Sequence, residues 1–105
     1  MEKRIALFMD YLVGEIGASQ HTIKAYYRDL QQYRSFLEAT GRADVISPNS
    51  TRDFGAHLLK KGEARSSVER KLSALRSFCK FLCRDGELDV GIPMRILLPK
   101  KEKKL

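Results

Sequence analysis

The sequence predicts an all-α domain of four principal helices. Apolar residues recur at steps of three and four in four separate runs. No stretch alternates apolar and polar residues long enough to make a convincing strand. Serine and proline open these runs and glycine closes them, at the positions that helix ends favour. A chain of 105 residues suits one domain. That length buries a modest core without metal or disulfide staples, and the apolar share of 43% excludes global disorder.

The first run places Ile5, Phe8, Met9, Leu12 and Ile16 on one stripe and ends between Gly14 and Gly17. Ser19 follows as an N-cap, because its hydroxyl accepts a bond from a first-turn backbone N–H. The second helix carries Ile23, Tyr26, Leu30, Tyr33 and Leu37 inward and stops at Gly41. Ser47-Pro48 opens a third, shorter helix with Thr51, Phe54 and Leu58 buried. Lys60-Lys61-Gly62 closes it, with cations at the negative end of the helix dipole. Ser66 and Glu69 fit a capping box for the fourth helix. Its stripe is Val68, Leu72, Leu75, Cys79 and Leu82, widened by Phe78 and Phe81, and Gly86 ends it. Beyond Gly91-Ile92-Pro93, the apolar Met94, Ile96, Leu97 and Leu98 read as a short clip docking on the domain, and Lys100 to Lys104 as a flexible basic tail.

Several function classes drop out. No apolar run approaches the ~18 residues of a membrane span. The opening Met1-Glu2-Lys3-Arg4 leads into an amphipathic pattern broken by Asp10 and Glu15, unlike a signal peptide, so a cytoplasmic protein without membrane partners is expected. Cys79 and Cys83 lie four apart in an apolar pattern, and neither His21 nor His57 has ligand spacing to them. They read as small buried or half-buried residues of a reducing compartment, with no metal site. There is no Gly-rich phosphate loop and no nucleophile elbow, so no catalytic residue is assigned. Tyr11, Tyr26, Tyr27 and Tyr33 read mainly as core with a hydroxyl at the edge, and His57 as a surface or boundary residue.

Charge is distributed unevenly. Residues 1–59 balance seven bases with seven acids, whereas residues 60–105 set thirteen bases against six acids and hold the entire +7. A positive excess confined to one half calls for a polyanion, nucleic acid first. Two helix faces could meet it. With Ile23, Leu30 and Leu37 inward, Lys24, Arg28, Gln31 and Ser35 stack outward on the second helix, whose first turn exposes Ser19, Gln20, His21 and Thr22. Hydroxyls and first-turn N–H groups are natural phosphate ligands, and Gln20 and Lys24 are long enough to reach base edges. The fourth helix presents Ser66, Arg70, Ser73 and Ser77, flanked by Arg65, Ser67, Lys71, Arg76 and Lys80. Small hydroxyls between cations permit close approach to a sugar–phosphate backbone, and Arg70 and Lys71 are expected to lie outside the buried stripe.

The segment Ser19-Gln20-His21-Thr22-Ile23-Lys24-Ala25-Tyr26-Tyr27-Arg28-Asp29-Leu30 resembles the S-x-H-T-x-x-x-Y-x-x-D-L signature of the tyrosine recombinase (phage integrase, Xer-like) family. Arg65-Ser66-Ser67-Val68-Glu69-Arg70-Lys71-Leu72-Ser73-Ala74-Leu75-Arg76-Ser77-Phe78 resembles that family's R-L-S-A-L-R-S-F helix, and Phe8-x-x-Tyr11-Leu12 its opening helix. Pro99-Lys100 resembles the start of its interdomain linker, whereas Gly91-Ile92-Pro93 departs from the Asn-Pro common there. The resemblance implies a SAM-like orthogonal bundle with a short C-terminal extension: a core-binding domain over residues 1–98 and the start of a basic linker over 99–105. It implies that the second and fourth helices face the major groove of double-stranded DNA. It also implies a parent enzyme that cuts and rejoins strands through a tyrosyl–phosphate without metal or nucleotide cofactor. The family's catalytic set lies in a separate C-terminal domain, so none of it is carried over to this chain, which is expected not to be an enzyme by itself. Other recombinase protomers are expected partners of the full assembly, with the isolated domain monomeric. Two alternatives are a helical protein–protein module, which would need an exposed apolar patch, and a stand-alone helix-turn-helix-type regulator.

Overall fold

The computed structural model describes residues 1–97, and among them there are only helices and the segments that join them. Helix α1 spans Glu2–Tyr11, α2 Gln20–Ala39, α3 Pro48–Lys60, α4 Arg65–Arg84 and the single-turn α5 Gly91–Met94. A π-helical turn, Leu12–Ile16, extends α1 before Gly17 reverses the chain in the left-handed region at φ 68°. The expected four-helix bundle with a short extension is therefore present. The tail from Leu98 onward, including the proposed linker, lies outside the described residues.

Helix openings follow the side chains. The Ser19 hydroxyl accepts the Thr22 backbone N–H at 3.2 Å and caps α2. Ser47 caps α3 and Pro48 takes its first position; the Ser47 hydroxyl accepts the Ser50 N–H at 3.0 Å, and the Ser50 hydroxyl at N3 accepts the Ser47 N–H at 2.9 Å. Three helix ends share one device. Gly41, Gly62 and Gly86 are left-handed, and the next residue's N–H returns to a carbonyl of the last turn. Arg42 reaches Leu37 at 2.8 Å, Glu63 reaches Leu58 at 3.2 Å, and Glu87 reaches Leu82 at 3.1 Å. All three accepting residues are core leucines, so each turn is tied to the interior it leaves.

The opening of α4 differs from the sequence expectation. Ala64 is its N-cap, with no side-chain bond, and Ser66 lies inside the first turn, so the Ser66–Glu69 capping box does not form. The reason is the four-residue connection. Glu63 is already fixed by the end of α3 and by Lys71, whose ammonium donates to its carboxylate at 2.6 Å. The chain enters α4 directly from there.

One core serves all four principal helices. It contains Ile5, Phe8 and Leu12 of the first segment, Leu30, Tyr33 and Leu37 of α2, Phe54 and Leu58 of α3, and Val68, Leu72, Leu75, Phe78, Cys79 and Leu82 of α4. Phe8 is an aromatic hub: its ring lies 5.5 Å from Phe78, 5.4 Å from Phe81 and 6.0 Å from Tyr26, joining α1 to α4 and α2. Tyr33 meets Phe54 edge-on at 5.2 Å, and its hydroxyl lies 2.7 Å from that of Ser50, joining α2 to α3. Each such ring pair adds ~0.5–1.5 kcal/mol beyond its buried area. Ile16 departs from expectation and is exposed. The π turn breaks the four-residue spacing that would have set it beneath Leu12. Tyr27 is likewise exposed rather than core. In the extension, Pro93 and Ile96 plug the core as a clip should, but Met94 and Leu97 face solvent. Pro93 and Ile96 are three residues apart and share one side of this helical turn, which leaves Met94 and Leu97 on the other.

Candidate nucleic-acid interface

Helices α2 and α4 run antiparallel. Thr22 near the start of α2 lines one groove with Ser77 and Lys80 from the later half of α4. One to two turns further along α2, Asp29 contacts Arg70, and beyond it Gln32 reaches the Glu63–Lys71 pair at the start of α4. The hydroxyl-bearing first turn of α2 thus lies beside the serine and lysine end of α4. Ser19, Gln20, His21, Thr22, Lys24 and Arg28 are all exposed, as are Ser66, Arg70, Ser73 and Lys80. Arg65, Ser67 and Ser77 are half-buried.

The cations of this surface fall into two kinds. Lys24, Arg28 and Lys80 make no ion pair within 4.0 Å among the described residues, so their charge is available to an outside anion. Lys24 and Arg28 also line a shallow groove with Met9, Ile23, Tyr27 and Gln31, on the flank of α2 that faces α1. Arg70, Lys71 and Arg76 have internal partners. Arg70 donates to the buried carboxylate of Asp29 at 2.7 Å. Lys71 is only 14% exposed and is held by Glu63. Arg76 donates to the Ile96 carbonyl and anchors the C-terminal extension. Consecutive residues on an α-helix point about 100° apart, which is why Lys71 turns inward while Arg70 stays at the surface. Gln31, expected outward, is half-buried and donates to Glu2 at 3.0 Å, beside Arg34, which pairs with the same carboxylate.

Sequence reasoning missed Asp29 as part of the site. Its carboxylate is 3% exposed, and burial pushes it above the ordinary carboxylate range, against the opposing pull of Arg70, Lys71 and Arg28. A signal was present: Asp29 lies three residues after Tyr26 and four before Tyr33, on one inward stripe. Glu63 behaves oppositely, held below the ordinary range chiefly by the Lys71 hydrogen bond. The Thr22–Ser77–Lys80 groove, about 410 Å³, has an aromatic floor of Phe8, Tyr11, Tyr26 and Phe81. Arg84 stacks 5.0 Å above the Tyr11 ring and pairs with Glu15 at 3.4 Å.

Both cysteines are free thiols; burial pushes Cys79 up to about 12, which leaves it an unreactive core residue. His57 is exposed and packs 5.0 Å from Phe36. Among the described residues no cluster of His, Cys, Asp and Glu could hold a metal ion, and no helix is long and apolar enough to cross a membrane.

Residues 5–86 match the phage integrase N-terminal SAM-like domain. Similar curated proteins include tyrosine recombinase XerD of Rhizobium meliloti, 40% identical over 96% of this chain and 33% of that protein. Tyrosine recombinase XerC of Natranaerobius thermophilus is 34% identical over 100% of this chain and 36% of its own length. XerC of Bacillus subtilis is 34% identical over 96% and 34%. The chain thus spans about a third of the length of the curated relatives it matches. No solved structure matches it significantly. With its helical bundle, its motifs and these relatives in agreement, the chain belongs to the phage integrase N-terminal SAM-like domain family of Xer-type tyrosine recombinases.

Proposed function

We propose that this chain is the DNA-clamping domain of a site-specific tyrosine recombinase working in the cytoplasm. It holds one side of a double-stranded DNA while a catalytic domain elsewhere in the protein cleaves and rejoins strands. The observation that carries this reading is the pairing of two polar helix faces: the first turn of α2 lies against the Ser77–Lys80 end of α4, with Lys24, Arg28 and Lys80 unpaired. The names of the relatives support it. Lys24, Arg28, Lys80 and the outward part of Arg70 neutralise phosphates. Ser19, Thr22, Ser66, Ser67, Ser73 and Ser77 donate hydroxyls at close approach, and Gln20 and His21 sit where base edges or sugars would pass. Arg65 belongs to the entry of α4 into that surface. Lys71 and Arg76 act from behind it, holding the helix start and the C-terminal extension. The domain covers residues 1–98, residues 99–105 begin the linker, and other protomers of the recombinase complete the assembly.

This domain contributes affinity and orientation, not chemistry. Each neutralised phosphate releases counterions, so log affinity falls by ~0.9 per contact against log salt. Titrating the 105-residue chain into duplex DNA over a salt series should show weak binding, Kd ~10⁻⁴–10⁻⁶ M near physiological salt, with a steep slope. No binding even at low salt contradicts the reading. A second reading, a protein-contact module, draws on the exposed Leu7, Val13 and Ile16 at the α1 end of the molecule. It requires the chain to self-associate or to bind protein without DNA, which sedimentation over a concentration series measures.

A further inference from the structure

We propose that Asp29 is a positioning residue for DNA contact, acting through Arg70. The inference rests on the DNA-binding reading above and deepens it. Among the described residues Asp29 is the one acidic or basic side chain in the buried class. It sits on the inward stripe of α2 and reaches across to α4, where its Oδ2 accepts from the Arg70 guanidinium at 2.7 Å. Arg70 itself is 54% exposed. A guanidinium carries five N–H donors in a rigid fork. With Nη1 held by a buried carboxylate, the remaining donors are left at the exposed surface of α4. An arginine held this way loses little freedom when it meets a phosphate, whereas an unheld arginine must first be ordered.

The arrangement has a feature that charge alone does not account for. A carboxylate beside a phosphate-binding cation lowers the positive potential of that surface. By net charge, removing it should tighten DNA binding. If Asp29 instead presets the geometry of Arg70, removing its charge should weaken binding although the domain becomes more positive. The two accounts therefore differ in sign.

The test compares the 105-residue chain with Asp29→Asn, Arg70→Gln and the double variant in salt-titrated binding to duplex DNA, with thermal melts on each. Asp29→Asn is expected to weaken binding several-fold and to reduce the salt slope by ~0.9, the loss of one phosphate contact. Arg70→Gln should do the same, and the double variant should bind no worse than either single one, since both act through one guanidinium. If Asp29→Asn binds as tightly as the parent chain or tighter while Arg70→Gln weakens binding, the positioning role is wrong and the DNA reading stands. If Arg70→Gln changes nothing, the positioning role is likewise wrong and the DNA reading stands on Lys24, Arg28 and Lys80; if the parent chain does not bind, both fall together. Should Asp29→Asn fail to fold, nitrogen NMR of the unaltered protein decides: the Arg70 guanidinium is expected to be much more restricted than that of Arg28, and equal mobility would overturn the proposal.

Discussion

Lys71 donates to Glu63 across 2.6 Å, and this pair joins the middle of α4's first turns to the connection that precedes it. The two side chains are 14% and 22% exposed, and Gln32 of α2 adds a bond to the same carboxylate at 3.3 Å. The contact fixes where α4 begins, and so which of its residues face outward. Its neighbour in sequence, Arg70, makes an ion pair across to α2, with Asp29.

These two acids should respond to pH with opposite sign. Glu63 sits below its ordinary value of 4.5, first because of the Lys71 hydrogen bond. Its contribution to stability is full above that value and is lost as pH falls through the lower folded one. Asp29 sits above its ordinary value of 3.8 because burial outweighs the neighbouring cations. Its contribution is full below that value and is lost as pH rises through the raised one. Melts between about pH 3 and 6 should therefore show a smaller rise of stability with pH in Glu63→Gln and a larger rise in Asp29→Asn. Curves that shift the same way in both variants would contradict these assignments.

Ser19→Ala should lower stability by about 1 kcal/mol, because the Thr22 N–H loses its partner at the start of α2. In a domain of this size that corresponds to a melting temperature lower by ~4–8 °C. An unchanged melt would mean that water caps the helix equally well.

Core and surface substitutions should separate cleanly. Leu72 is 2% exposed, so Leu72→Ala should cost ~2–5 kcal/mol, and DNA binding should fall only as the fold does. Lys24→Glu should change stability by no more than about 0.5 kcal/mol. Arg70→Glu differs from both. It leaves the buried Asp29 without its cation and sets a second carboxylate beside it, so it should destabilise by more than a surface reversal. Denaturant unfolding of the three variants measures the order directly: Lys24→Glu nearest the parent chain, the other two well below it.

Much of this was legible in the residues. The Ser19 and Ser47-Pro48 caps, the closing glycines and the stripes of α2, α3 and α4 are local, and local spacing and chemistry determine them. What was not legible depends on contacts distant in sequence. Asp29 and Arg70 are 41 residues apart, so the expectation that Arg70 is a plain surface cation could not register its buried partner. The box expected at Ser66 failed for the same reason, since Glu63 and the short connection, rather than Ser66, determine the entry to α4. Ile16 follows the helical spacing of its stripe, and only the π turn moves it outward. For the candidate site, the outward residues of α2 and α4 were legible as two faces. That the first turn of α2 lies beside the later half of α4, and that Lys71 and Arg76 hold internal contacts, needed the packing.

The central claim is that α2 and α4 together form the DNA surface. Its most direct measurement is salt-titrated duplex binding by Lys24→Glu and Lys80→Glu, with Arg52→Glu on α3 as the control. Arg52 is exposed and lines a different groove, with Asn49 and Arg95. Both reversals on α2 and α4 should weaken binding and each should lower the salt slope by ~0.9 or more, while Arg52→Glu should stay close to the parent chain. If Lys24→Glu and Lys80→Glu bind like the parent chain, and removal of residues 100–105 abolishes binding, the basic tail is the DNA contact and the α2–α4 surface is not.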